Sequence, residues 1–161
     1  MNCKMIDAYD YPKEIEILFS EYTNMLIEGD SSFKKYLDLQ NYDEELKHID
    51  NKYGLPYGRL YLVYYDDELA GCIGLRKIDD SSCEMKRLYV RSKFRGKHIG
   101  NLLVKKIIEE AKSIGYSSML LDTFPFLTSA IKLYKNYGFY EIPSYNNNPL
   151  DTLIYMKLDL K

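Results

Sequence analysis

The feature that most constrains this chain is a change of period at its middle. Leu60–Tyr65, Leu69–Ile78 and Cys83–Val90 are runs of strand-forming residues, separated only by the turn-forming stretches Asp66-Asp67-Glu68 and Asp79-Asp80-Ser81-Ser82. Hairpin-linked runs of this kind predict an antiparallel meander. After Gly96 the period becomes helical. Ile99, Leu103, Ile107 and Ala111 lie along one side with Leu102, Val104 and Ile108 beside them, and Gly115 supplies a stop. Met119–Thr123 is a short buried strand broken by Pro125. A strand–helix–strand unit over 83–123 puts a parallel step inside an otherwise antiparallel sheet.

The flanks fill in the rest. Asp10 and Pro12 mark a helix start, followed by Ile15, Leu18, Phe19, Tyr22, Met25 and Leu26 at helical spacing up to Gly29. Tyr42, Leu46 and Ile49 predict a second, short helix stopped by Gly54 and Pro56. Thr128 or Ser129 can cap a last helix carrying Ala130, Ile131, Leu133, Tyr134 and Tyr137, which ends at Gly138; Phe139–Ile142 and Thr152–Leu158 are closing strands. No repeat or linker interrupts the 161 residues, so one domain over 1–161 is expected. With 46% hydrophobic and 29% charged residues the chain can bury a core. No apolar run approaches the ~18 residues of a membrane span, and Met1–Asp7 has no leader-like stretch. Cys3, Cys72 and Cys83 form neither an even set nor a C-x-x-C pair, which points to a reducing, cytoplasmic setting. His48 and His98 are fifty residues apart, so no metal site is expected.

Charge is unevenly placed. The net charge is −2, which argues against a nucleic-acid partner, yet Met85–Ile108 holds eight basic residues and no acidic one. This stretch coincides with the turn Phe94-Arg-Gly-Lys-His-Ile-Gly100 at a helix start, where free N–H groups and the helix dipole favour an anion. Glycines at 96 and 100 allow close backbone approach, and a diphosphate is the natural guest. A solvated basic helix face is the alternative. Neither G-x-x-x-x-G-K-[ST] nor G-x-G-x-x-G occurs, which excludes a P-loop and makes a dinucleotide fold a poor match.

Glu84-Met-Lys-Arg-Leu-Tyr-Val90, followed by Arg95-Gly-Lys-His-Ile-Gly100, resembles the acyl-CoA motif of the GNAT superfamily of N-acetyltransferases, R/Q-x-x-G-x-G/A after a strand of type E-x-K-R-L-Y-V. His98 stands where the family usually has glycine. A second match is Ala130-Ile-Lys-Leu-Tyr134-Lys-Asn-Tyr-Gly138-Phe139, similar to A-I-x-L-Y-x-x-x-G-F. The resemblance runs from about residue 58 to 158. It implies an α/β (α+β) fold: a mixed, mostly antiparallel sheet with helices on both faces and a splayed parallel strand pair that forms the acyl-CoA site.

It further implies acetyl-CoA as co-substrate and an amine acceptor, a small molecule or a protein amine, acetylated by direct attack in a ternary complex. The backbone of Leu88, Tyr89 and Val90 would hold pantetheine, with the Leu88 N–H toward the developing oxyanion. Arg95, Gly96, Lys97, His98, Ile99, Gly100 and Asn101 would wrap the pyrophosphate. Tyr134 matches the family's general acid; its alternative is a packed core tyrosine. Glu84 is the candidate base; its alternative is a salt-bridged carboxylate. Asp122 and Tyr145 are acceptor-side candidates, as are residues 12–50, the 143–150 segment, and the acids Asp30, Asp43, Glu44 and Glu45. A covalent route through Cys83 lacks a neighbouring histidine. The chain is expected to work without membrane or nucleic acid, with a homodimer possible. A non-catalytic acyl-CoA sensor of the same fold is the rival reading.

Overall fold

The computed structural model describes residues 2–33, 42–146 and 152–161. In chain order its elements are β1 (Cys3–Asp7), α1 (Pro12–Gly29), α2 (Tyr42–Lys47), α3 (Ile49–Tyr53), β2 (Arg59–Tyr65), β3 (Glu68–Lys77), β4 (Ser82–Val90), a 3-10 turn (Ser92–Phe94), α4 (Ile99–Ile114), β5 (Ser118–Thr123), α5 (Thr128–Asn136), β6 (Tyr140–Ile142) and β7 (Ile154–Asp159). The strands form one sheet in the order β1-β2-β3-β4-β5-β7-β6. Only β4–β5 is parallel among its neighbours. The meander and the parallel step are where the sequence predicts them. The sequence gives no sign of β1, an edge strand paired antiparallel with β2.

Helices cover both faces. On one, α4 and Tyr134 of α5 pack with Tyr61, Val63, Ile73, Leu75 and Met85. On the other, Ile15, Leu18 and Phe19 of α1 join Tyr53, Leu60, Leu62, Cys72 and Tyr89. The β2–β3 hairpin closes through Asp66 and Asp67, both at positive φ as a two-residue primed turn requires. The last helix starts differently from expectation: Leu127 is its N-cap, no side chain caps it, and Thr128 is already helical. Asp10 is likewise not a cap, since Tyr11 precedes Pro12 at the start of α1. No helix among the described residues is long and apolar enough to cross a membrane.

Two irregularities shape the middle of the sheet. The parallel ladder between β4 and β5 pairs only Ser82–Glu84 with Ser118–Leu120, although both strands continue. Beyond Glu84 they splay. In the same stretch β4 carries one more residue than β3 between the pairs Gly74–Lys86 and Cys72–Tyr89, and Arg87 takes a φ of 61°. Such a bulge bends and twists its strand. It also resets the alternation, so Leu88 and Val90 pack on the same core as Met85 while Tyr89 joins the other.

Candidate active site

The splay opens a cleft of about 560 Å³ between β4 and α4 on one side and the end of β5 with the start of α5 on the other. Leu88, Tyr89 and Val90, Arg95, Gly96, His98, Ile99, Gly100 and Asn101 line it, as do Asp122 and Tyr134. The two sequence motifs, about thirty residues apart, thus face each other. Tyr22 and Met25 of α1, expected on the acceptor side with the rest of 12–50, also line the cleft, as do Phe126–Ser129, to which sequence reasoning gave no site role. The apolar period of α1 places Tyr22 and Met25 on its inward face, but no motif distinguishes cleft from core there.

The turn into α4 is built for backbone exposure. Gly96 has a φ of 81° with nothing within 4 Å of a Cβ built there, and His98, the N-cap, has a φ of 62°. Left-handed backbone explains why glycine suits position 98, and His98 adopts it at a cost of roughly 1–2 kcal/mol. No side chain caps α4, so its first N–H groups, which have no intrahelical acceptor, point outward. Gly100 is different: a Cβ there meets Leu133 at 3.6 Å, an ordinary contact, so it keeps the wall low rather than relieving the backbone. These are features that suit the diphosphate and extended arm of acetyl-CoA. Lys97 is not part of the wall; its ammonium lies 5.1 Å over the Tyr65 ring.

Part of the basic stretch is paired through the fold. Arg87 donates to Glu45, Arg91 to Glu21 at 2.8 Å and Lys93 to Glu68 at 2.8 Å, so acids distant in sequence neutralise these three. Arg95 folds back, its Nε donating to the Val90 carbonyl at 3.1 Å.

Tyr134 is 7% exposed. Burial, with Tyr22 and Asp122 nearby, pushes its phenol far above the ordinary value, so it stays protonated at any physiological pH. Glu84 is not brought to it. That side chain is 3% exposed and lines neither the cleft nor the pocket beside it. Arg76 Nε donates to Glu84 Oε1 at 2.6 Å, Tyr145 donates to Oε2, and Lys86 Nζ lies 3.8 Å away. Burial raises its carboxyl, but Lys86, Arg76 and the Tyr145 bond outweigh that and hold it below the usual range. A base needs access and a pKa near the working pH; Glu84 has neither, and is the salt-bridged carboxylate of the alternative reading. Tyr145, its partner, also packs edge-on to Tyr155, away from the cleft. Residues 34–41 and 147–150 of the expected acceptor side, and the side chain of Asp43, lie outside the described residues.

A narrower pocket of about 40 Å³ adjoins the cleft and shares Tyr22, Leu88, Asp122 and Tyr134 with it. Cys83 touches neither; burial, with Glu84 beside it, pushes its thiol up to about 12.

The comparisons with known proteins agree with this architecture. The profile of the Acetyltransferase (GNAT) family matches residues 18–139. The chain belongs to the GNAT family. It is similar to an uncharacterised N-acetyltransferase of Schizosaccharomyces pombe, 38% identical over 96% of this chain and 94% of that one. Another such relative, from Dictyostelium discoideum, is 34% identical over 100% of both chains. A GNAT acetyltransferase structure from Staphylococcus aureus superposes with a TM-score of 0.75 at 23% identity, over 99% of this chain and 100% of that one. One from Elizabethkingia anophelis, with acetyl-CoA bound, gives 0.56 at 29% identity, over 70% and 82%. The GNAT chain is therefore an acetyl-CoA-dependent acyltransferase with an amine as acceptor.

Proposed function

We propose that residues 1–161 act as one catalytic domain that acetylates a primary amine by direct attack in a ternary complex. The observation that carries this is the shared wall. The larger cleft and the smaller pocket meet at Leu88, Asp122 and Tyr134, which brings a backbone donor, a carboxylate and a protonated phenol to one junction. The larger cleft takes acetyl-CoA, with Arg95, Gly96 and the first turn of α4 from His98 to Asn101 around the pyrophosphate and the open edge of β4 along pantetheine. The co-substrate supplies an activated acetyl thioester. Asp122 anchors the ammonium and, directly or through water, takes the proton it must lose. The Leu88 N–H faces the oxygen on which charge develops. As the amine nitrogen bonds to the carbonyl carbon and the carbon–sulfur bond breaks, Tyr134 gives its proton to the thiolate. The nitrogen's surplus proton returns through solvent, leaving an amide, free CoA thiol and one released proton. No acyl-cysteine is needed, since Cys83 sits in the core with a raised thiol pKa.

Calorimetry with acetyl-CoA, paired with CoA release over an amine panel, tests the reading. Gly100→Leu fills the cleft and should weaken acetyl-CoA at least tenfold, whereas Gly100→Ala, with ordinary contact at Leu133, should bind nearly as wild type. Equal affinity for both variants and wild type would displace the co-substrate from this cleft. Binding without CoA release from any amine would favour a sensor.

A further inference from the structure

One cation on the wall of the narrower pocket has no hydrogen-bond acceptor among the described residues. Lys86 and Arg87 line its wall, and Lys52 and Arg76 lie behind them in the same network. Two carboxylates among the described side chains pair with this network. Glu45 is shared by Arg87, at 2.6 Å, and Lys52. Glu84 is engaged by Arg76 and Tyr145. The nearest carboxylate oxygen to Lys86 Nζ is then Glu84 Oε1 at 3.8 Å, beyond hydrogen-bond distance, and that lysine side chain is only 12% exposed. Among the described side chains this leaves the Lys86 ammonium without a hydrogen-bond acceptor in a largely desolvated place, where a charge so weakly paired favours the arrival of a counter-charge. Lys52 registers the crowding: burial and the cations Lys86 and Arg87 outweigh Glu45 and bring its ammonium down to about 8.

Asp122 is the acid that lines the pocket, and it stands where pocket and cleft join, beside Tyr134. The pocket is thus polarised, negative at the junction and positive on the wall formed by Lys86 and Arg87. An ammonium held at Asp122 leaves the rest of a small acceptor against the cations. A volume of about 40 Å³ admits only a few heavy atoms. We infer that the acceptor is a small zwitterion, an amine carrying a carboxylate a few bonds away as in an amino acid, with Lys86 as the principal partner of that carboxylate. Polyamines and basic peptide segments are repelled by the same wall. This rests on the acetyl-transfer reading above.

Matched acceptors that differ only in the carboxylate test it. CoA release would be followed with glycine, alanine, methionine and aspartate, each against its C-terminal amide, and with spermidine and tyramine. At least one acid should exceed its own amide by about a hundredfold in kcat/KM, the scale of a charge-assisted hydrogen bond. Lys86→Met should collapse that ratio toward one and Lys86→Arg should preserve it. Any of three results overturns the inference: an amide or carboxylate-free amine used as well as the acids, an unchanged ratio in Lys86→Met, or no turnover of any acid. The wild-type ratios do not depend on how the variants fold. Acetyl-CoA calorimetry on the same samples separates the failures, because loss of co-substrate binding removes the underlying reading while intact binding removes the zwitterion alone.

Discussion

Replacing Glu45 by glutamine should be among the most destabilising single changes available in this protein. The Glu45 side chain is 7% exposed, takes two hydrogen bonds from Arg87 at 2.6 and 3.1 Å, and also pairs with Lys52. Burial raises its carboxyl, but Arg87 and Lys52 more than compensate, lowering it from 4.5 to about 2. At about 1.36 kcal/mol per pH unit, such a depression contributes roughly 3 kcal/mol at neutral pH. The mutational route gives a similar figure: removing one partner of a buried pair costs about 3–5 kcal/mol, because Arg87, itself 6% exposed, loses the carboxylate that takes its two hydrogen bonds. For a chain of this size that corresponds to a fall in Tm of about 6–20 °C. A carboxylate with a depressed folded pKa stabilises above its unfolded value and ceases to do so as pH falls through the folded one. The wild-type advantage over Glu45→Gln should therefore be complete above about pH 4.5 and shrink as the pH drops toward 2. Urea unfolding at pH 7, 4.5 and 3 measures it. A difference below 1 kcal/mol at pH 7, or one that stays constant down to pH 3, would refute the argument.

Further outcomes follow from the same geometry. Tyr134→Phe should lower kcat about a hundredfold while leaving acetyl-CoA affinity and Tm nearly unchanged, because no described residue hydrogen-bonds that hydroxyl; single-turnover CoA release and a melting curve check it. Glu84→Gln should cost about 2–3 kcal/mol in thermal unfolding through loss of the Arg76 pair, yet the pH profile of kcat should keep its shape; a profile flattened on its acid limb would return Glu84 to proton transfer. His98→Gly relieves a left-handed residue at the α4 N-cap, so stability should rise by about 0.5–1 kcal/mol with acetyl-CoA binding retained, as read by denaturation and calorimetry.

The meander, the crossover helix and the face-to-face motifs were legible because each is written in local period and turn chemistry. Strand β1 was not: Cys3–Asp7 is five residues long, includes two charges, and is held by pairing with β2 more than by its own pattern. The cleft-lining residues at the start of α4 could be named because a glycine-flanked helix start announces itself in sequence. Glu84 shows the limit. Its strand position is evident, but its neutralisation depends on Arg76 lying directly opposite in the β3–β4 register and on Tyr145 arriving from sixty-one residues away. Arg87, Arg91 and Lys93 of the basic stretch mislead for the same reason, since Glu45, Glu21 and Glu68 reach them only through the fold.

The bulge at Arg87 ties these observations together. If β4 stayed paired with β5 past Glu84, its backbone donors would be spent on the ladder and no cleft would open. The extra residue bends the strand away and keeps Leu88 and Val90 on the α4 side. It does so with an arginine at positive φ, a conformation glycine would hold more easily. Arginine compensates through its guanidinium, which lies 5.5 Å from the Phe19 ring and bonds Glu45, fastening the bulge to α1 and to the segment between α1 and β2. The same side chain lines the narrower pocket proposed for the acceptor. A glycine at 87 would make the same turn in the strand, but it would supply neither the fastening nor the positive wall, so the residue that sets the cleft's shape also sets the charge of what can enter beside it.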